Sequence, residues 1–173
     1  DLTALISSQY YRGADSAWLK GVIEEFHHPN INMRQGKKGD EFSLTYQCQQ
    51  YAHNHPMAEE TARHHEHNVR KIKHFERYQR EIMRRRSYTM RIDTMTADDL
   101  REFQKYLANE SDYYEHYPQI SDDIKPKDRP RHLTENAIHS ILKRLRTVVN
   151  WCLKHNITTN DPFATYEMPK VLD

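Results

Sequence analysis

Thr134-Glu135-Asn136-Ala137-Ile138-His139-Ser140-Ile141-Leu142-Lys143-Arg144-Leu145-Arg146-Thr147-Val148-Val149-Asn150-Trp151-Cys152-Leu153-Lys154-His155 is the stretch on which the fold turns. Ile138, Ile141, Leu142, Leu145, Val149 and Cys152 recur at spacings of three and four, which puts them on one side of a helix and predicts that this side is buried. Thr134 is placed to cap the start and Asn156 to end it. Neither glycine nor proline interrupts the stretch.

Working outward, the same period appears four more times. A helix is predicted over residues 97–110, burying Leu100, Phe103 and Leu107, with Thr96 and Asp99 spaced as a capping box. A longer one is predicted over residues 59–86 with Val69, Ile72, Phe75, Ile82 and Met83 along its stripe, and another over residues 42–55, closed by Pro56. Residues 89–93 read as a short extended piece. Residues 111–131 contain Pro118, Pro126 and Pro130 among acids and tyrosines, so they read as a long loop. Trp18, Leu19, Val22, Ile23 and Phe26 predict one more helix over residues 15–28, ended by Pro29 and followed by a linker carrying Gly36 and Gly39. The expectation is an all-α protein: a four-helix bundle over residues 41–169, an N-terminal helical extension and linker over residues 1–40, and the start of a further linker at residues 170–173.

A chain of 173 residues suits one domain with an extension. Its 26 Lys and Arg nearly balance 25 Asp and Glu, which excludes a uniformly basic coat protein. The balance hides segregation. Residues 63–91 hold ten Lys or Arg against three acids, residues 92–128 hold four against ten, and residues 129–170 hold seven against three. Two basic helices with apolar stripes that turn their charge outward predict a polyanion-binding surface.

Other chemistry finds little support. There is no run of about 18 apolar residues to span a membrane, and Cys48 and Cys152 sit among apolar neighbours as two buried thiols, which points to a reducing cytoplasm. His53, His55, His64, His65 and His67 cluster, but no H-E-x-x-H or C-x-x-C accompanies them. A nucleotide loop and a nucleophile elbow are missing too, so no metal, cofactor, catalytic residue or small-molecule substrate is expected.

The segments 42–44 and 74–78, the run Met95-Thr96-Ala97-Asp98-Asp99-Leu100-Arg101-Glu102-Phe103-Gln104-Lys105-Tyr106-Leu107, and the segments 133–138, 145–151 and 160–163 follow one another in a familiar order. Together they resemble the core-binding domain of tyrosine recombinases, most nearly the integrases of bacterial conjugative transposons, over about residues 41–169. The resemblance implies a SAM-like four-helix domain that grips duplex DNA beside other recombinase protomers. It also implies that strand cleavage belongs to a separate domain after residue 169, missing from this chain. His67-Asn68-Val69-Arg70 and His74-Phe75-Glu76-Arg77 match a catalytic His-x-x-Arg only as strings, inside a binding-domain helix.

The candidate DNA contacts are Arg70, Lys71, His74 and Arg77, taken to project away from Val69, Ile72 and Phe75, with Asn136, His139, Ser140, Lys143 and Arg144 on the other basic helix. The alternative is a helical protein-interaction module that works through the acidic stretch 111–131.

Overall fold

The computed structural model describes residues 41–129 and 131–171. Five α-helices follow in order: α1 (Leu44–Asn54), α2 (Glu59–Glu81), α3 (Ala97–Ala108), α4 (Glu110–His116) and α5 (Glu135–Lys154). Two 3-10 turns, Pro118–Ser121 and Pro126–Asp128, lie between α4 and α5. Among the described residues there is no strand, only one antiparallel bridge between Ser43 and Arg91. The fold is therefore all-α as anticipated, with five helices among the described residues where the expectation was four. The helix expected over residues 15–28, and the extension assigned to residues 1–40, lie outside the described residues.

Local chemistry explains the helix starts. The Ser43 hydroxyl accepts the Tyr46 amide at 3.4 Å and the Thr134 hydroxyl accepts the Ala137 amide at 3.2 Å. Thr96 and Asp99 form the anticipated capping box: the Asp99 amide donates to Thr96 Oγ1 at 3.3 Å and the Thr96 amide returns a bond to Asp99 Oδ2 at 2.8 Å. Asn156, at φ 54°, takes the left-handed conformation after α5. The Ile157 amide then reaches the Cys152 carbonyl at 3.0 Å and the Asn156 amide reaches Leu153 at 3.2 Å, a Schellman closure.

Three boundaries differ from the sequence expectation. The second helix stops at Glu81 rather than 86, because the chain unwinds through Met83 and enters the left-handed region at Arg84, φ 61°. Met83 is consequently 54% exposed instead of lining the core. The third helix breaks at Asn109. Residues 110–116 then form a helix of their own inside the stretch expected to be loop, since the first proline there comes only at position 118.

The stripes meet in one core. Ile72 and Phe75 of α2, Leu100, Phe103 and Leu107 of α3, and Ile138, Leu142, Leu145 and Val149 of α5 pack with Leu44, Met90, Ile92 and Ile120. Phe75 lies 5.2 Å from Phe103 and 5.4 Å from Tyr106 between ring centres. The extended piece before α3 crosses the start of α1, with the Leu44 amide on the Met90 carbonyl at 2.9 Å and the Ile92 amide on Phe42 at 2.8 Å. After α5 the chain is fastened back: Asn160 Nδ2 donates to the Ile92 and Met95 carbonyls, Phe163 and Tyr166 are buried, and Tyr166 bonds Gln104. Cys48 and Cys152 are free and buried, and burial pushes their thiols up to about 12 and about 11.

Candidate functional site

The basic residues of α2 divide by what surrounds them. Lys71, expected to project, is buried: its Nζ lies 2.7 and 2.9 Å from the two carboxylate oxygens of Glu110, which also accepts the Tyr114 hydroxyl. His74, likewise expected at the surface, is buried between the Tyr114 hydroxyl at 3.2 Å and Asp123 at 2.6 Å. Both expectations are corrected by one cause. The short helix α4 and the 3-10 turn after it cover this flank of α2, so Lys71, about 100° from the stripe's centre, and even His74, about 160° from it, are inside the molecule rather than on it.

Arg77 remains at the surface but is engaged. Its guanidinium forks onto Asp122 at 2.6 and 3.0 Å and its Nε reaches Glu81 at 3.0 Å. These bonds push the Arg77 guanidinium further up and hold the Asp122 carboxyl below its usual range. Arg80 donates to the Tyr88 carbonyl at 2.9 Å, and Arg85 to Glu102 at 2.8 Å while lying over the Tyr88 ring. Glu76, buried beneath, accepts the Met90 amide at 3.0 Å; burial pushes it up to about 7 against the pull of that bond and of Arg80.

What remains on α2 is Arg70, which the sequence singled out, and Lys73, which it did not; both are exposed and neither carries an ion pair among the described residues. They border a cleft of about 370 Å³ against α1. On α5, Asn136 and Lys143 are exposed and Ser140 and Arg144 half-buried. His139 is turned the other way, its Nδ1 2.7 Å from the Pro169 carbonyl, and so ties the end of the chain to α5. Among the described residues Lys143, Arg144, Arg146 and Lys154 form no ion pair.

A groove of about 260 Å³ runs between the first halves of α2 and α5, lined by His64, His67, Lys71, Ser140 and Arg144 over Asn68, Leu133, Ala137 and Ile141. His67 is exposed at the groove's rim, and partial burial there, reinforced by Lys71 and Arg70, lowers its imidazole below the usual value; burial and then Arg144 do the same to the buried His65. The clustering of His64 and His67 was visible in the sequence, where the lack of an H-E-x-x-H or C-x-x-C pattern spoke against a metal site. Further along α5, Trp151 packs edge-on to Tyr51 at 5.8 Å and beside His155 at 5.1 Å, an aromatic cluster that no spacing rule singled out.

Among the described residues, then, the fold is an α-helical bundle in which the lysines and arginines of α5 form no ion pair and a groove with no acidic lining lies beside them, the features of a helical protein with a cationic face. The chain belongs to the phage integrase SAM-like domain family, whose model matches residues 43–168. No curated protein and no solved structure matches the chain. Among the described residues no helix is long and apolar enough to cross a membrane.

Proposed function

We propose that this chain is the core-binding part of a tyrosine recombinase of the conjugative-transposon type, and that it clamps duplex DNA beside other recombinase protomers while residues outside this chain cut and rejoin the strands. The observation that carries the reading is the set of four uncommitted cations on α5, in a family of integrase domains. Lys143 and Arg144 neutralise phosphates, assisted by Arg70 and Lys73 on α2, while Asn136 and Ser140 provide modest readout of base edges. Lys71, His74 and His139 act within the protein: they hold α4, the turn after it and the exit segment in place.

Fluorescence anisotropy of the chain with duplex DNA tests this. Binding at low salt that fades steeply as salt rises is the expected result, because neutralising phosphates releases counterions. Absence of binding at low salt refutes the reading and favours the protein-interaction alternative for residues 111–131. In that alternative the working acids would have to be others than Asp122 and Asp123, which are spent on Arg77 and His74.

A further inference from the structure

We propose that the groove between the first halves of α2 and α5 seats one sugar-phosphate unit of the DNA backbone, with Ala137 and Ile141 under the sugar and His64, His67, Ser140 and Arg144 around the phosphate. This rests on the DNA-binding reading and adds a particular seat and a proton to it.

The groove measures about 260 Å³, several times the roughly 30 Å³ share of one water, so it admits a phosphate group. Its lining is apolar at Leu133, Ala137 and Ile141 and polar at the other positions, and no acidic side chain lines it. Two of its polar members are already committed: Asn68 Nδ2 donates to the Ile141 carbonyl at 3.4 Å, and Lys71 is held by Glu110. His64, His67, Ser140 and Arg144 therefore remain as the donors available to a ligand. The charged groups facing His67 are His64, Arg70 and Lys71 from α2, Arg144 across the groove on α5, and a single carboxylate, Glu110 of α4, already spent on Lys71. An imidazole in such surroundings gives up its proton easily, which agrees with its lowered value.

A phosphate entering the seat reverses that balance. Its negative charge favours the imidazolium, so His67 takes a proton from solvent as DNA binds, and both ring nitrogens then donate. Affinity must by linkage rise as pH falls.

The test is anisotropy with duplex DNA at constant ionic strength over about pH 5.5 to 8, comparing the wild-type chain with His67→Gln, Ser140→Ala and Arg144→Ala. The wild type should gain affinity toward low pH by up to about tenfold per pH unit, the limit for one proton. His67→Gln keeps a donor but cannot titrate, so it should flatten the profile and bind as the wild type does at high pH. Arg144→Ala should weaken binding at every pH, and Ser140→Ala, which removes one hydroxyl from the rim, should do so severalfold. Circular dichroism at each pH confirms that the variants are folded. Binding that is salt-sensitive yet independent of pH, or that keeps its pH slope in His67→Gln, overturns the seat and leaves the DNA-binding reading standing. No binding by any form at low salt overturns both.

Discussion

Helices α2 and α5 carry similar residue types, each with an apolar stripe and several bases, yet most of the bases of α2 are paired and, apart from Arg70 and Lys73, meet the opposite fate to those of α5. On α2, Lys71, Arg77 and Arg80 are answered by Glu110, Asp122 and Glu76, and the His74 ring bonds Asp123. On α5, Lys143, Arg144, Arg146 and Lys154 meet no carboxylate among the described residues. The difference lies in the neighbours. The acidic stretch from α4 onward packs along α2, whereas α5 is flanked by α1, by the first half of α2, by an exit segment that touches it through His139, and by α3, whose carboxylates Asp98, Asp99 and Glu102 are engaged with Arg101, Thr96 and Arg85. A count of basic residues along the chain is therefore not a count of surface charge.

Removing Lys71 should have the largest effect. Lys71→Met leaves the Glu110 carboxylate buried with only the Tyr114 hydroxyl for company, and stripping one partner from a buried pair costs about 3–5 kcal/mol. Urea unfolding should register that loss, while Lys143→Ala should stay within about 0.5 kcal/mol of the wild type. A stable Lys71→Met variant that binds DNA poorly would erase the distinction between the two helices.

Glu76 sharpens the same contrast through pH. Its carboxyl has a pKa of about 7 in the folded protein against 4.5 as the ordinary value, so folding favours the protonated form. The associated stability is fully present below the ordinary value and is lost as pH rises through the folded one. The penalty above pH 7 approaches about 3 kcal/mol, from about 1.4 kcal/mol per unit. Thermal melts should show Glu76→Gln, which can still accept the Met90 amide, gaining on the wild type between pH 5 and 8. Equal pH profiles would mean that Glu76 is solvated.

The limits of the sequence follow from the same geometry. Helices α1, α2, α3 and α5 were legible because apolar residues repeat at helical spacing and because Thr96, Asp99 and Thr134 have capping chemistry that acts within three residues. Helix α4 was not, since its seven residues, Glu-Ser-Asp-Tyr-Tyr-Glu-His, show no stripe and lie beside prolines. The site was half legible. Outward positions on α5 follow from its stripe, but Lys71 and Glu110 are 39 residues apart, and no local pattern announces their pairing.

Substituting Lys143 should act on DNA alone. Lys143→Ala removes one phosphate contact, so affinity should fall severalfold for all sequences alike and the dependence of log K on log salt should become shallower by about one unit. An unchanged slope would show that α5 is solvated rather than bound.

The smallest effect is expected at Arg77, where the two fates meet. Arg77 is a good phosphate donor by type, but its fork is occupied by Asp122 in a pair that is largely solvent-facing, with side-chain exposures of 30% and 63%. Exposed pairs contribute little to stability, so Arg77→Ala should change it only slightly. It should also leave DNA affinity nearly unchanged, because a guanidinium already answered by a carboxylate has little charge to offer. Asp122→Asn should release it, at a similarly small cost in stability, and tighten DNA binding modestly if α2 approaches the duplex at that point. The double variant Arg77→Ala/Asp122→Asn separates the causes. If the gain of Asp122→Asn vanishes when Arg77 is absent, internal pairing is what silences the basic flank of α2; if it persists, simple removal of a negative charge accounts for it.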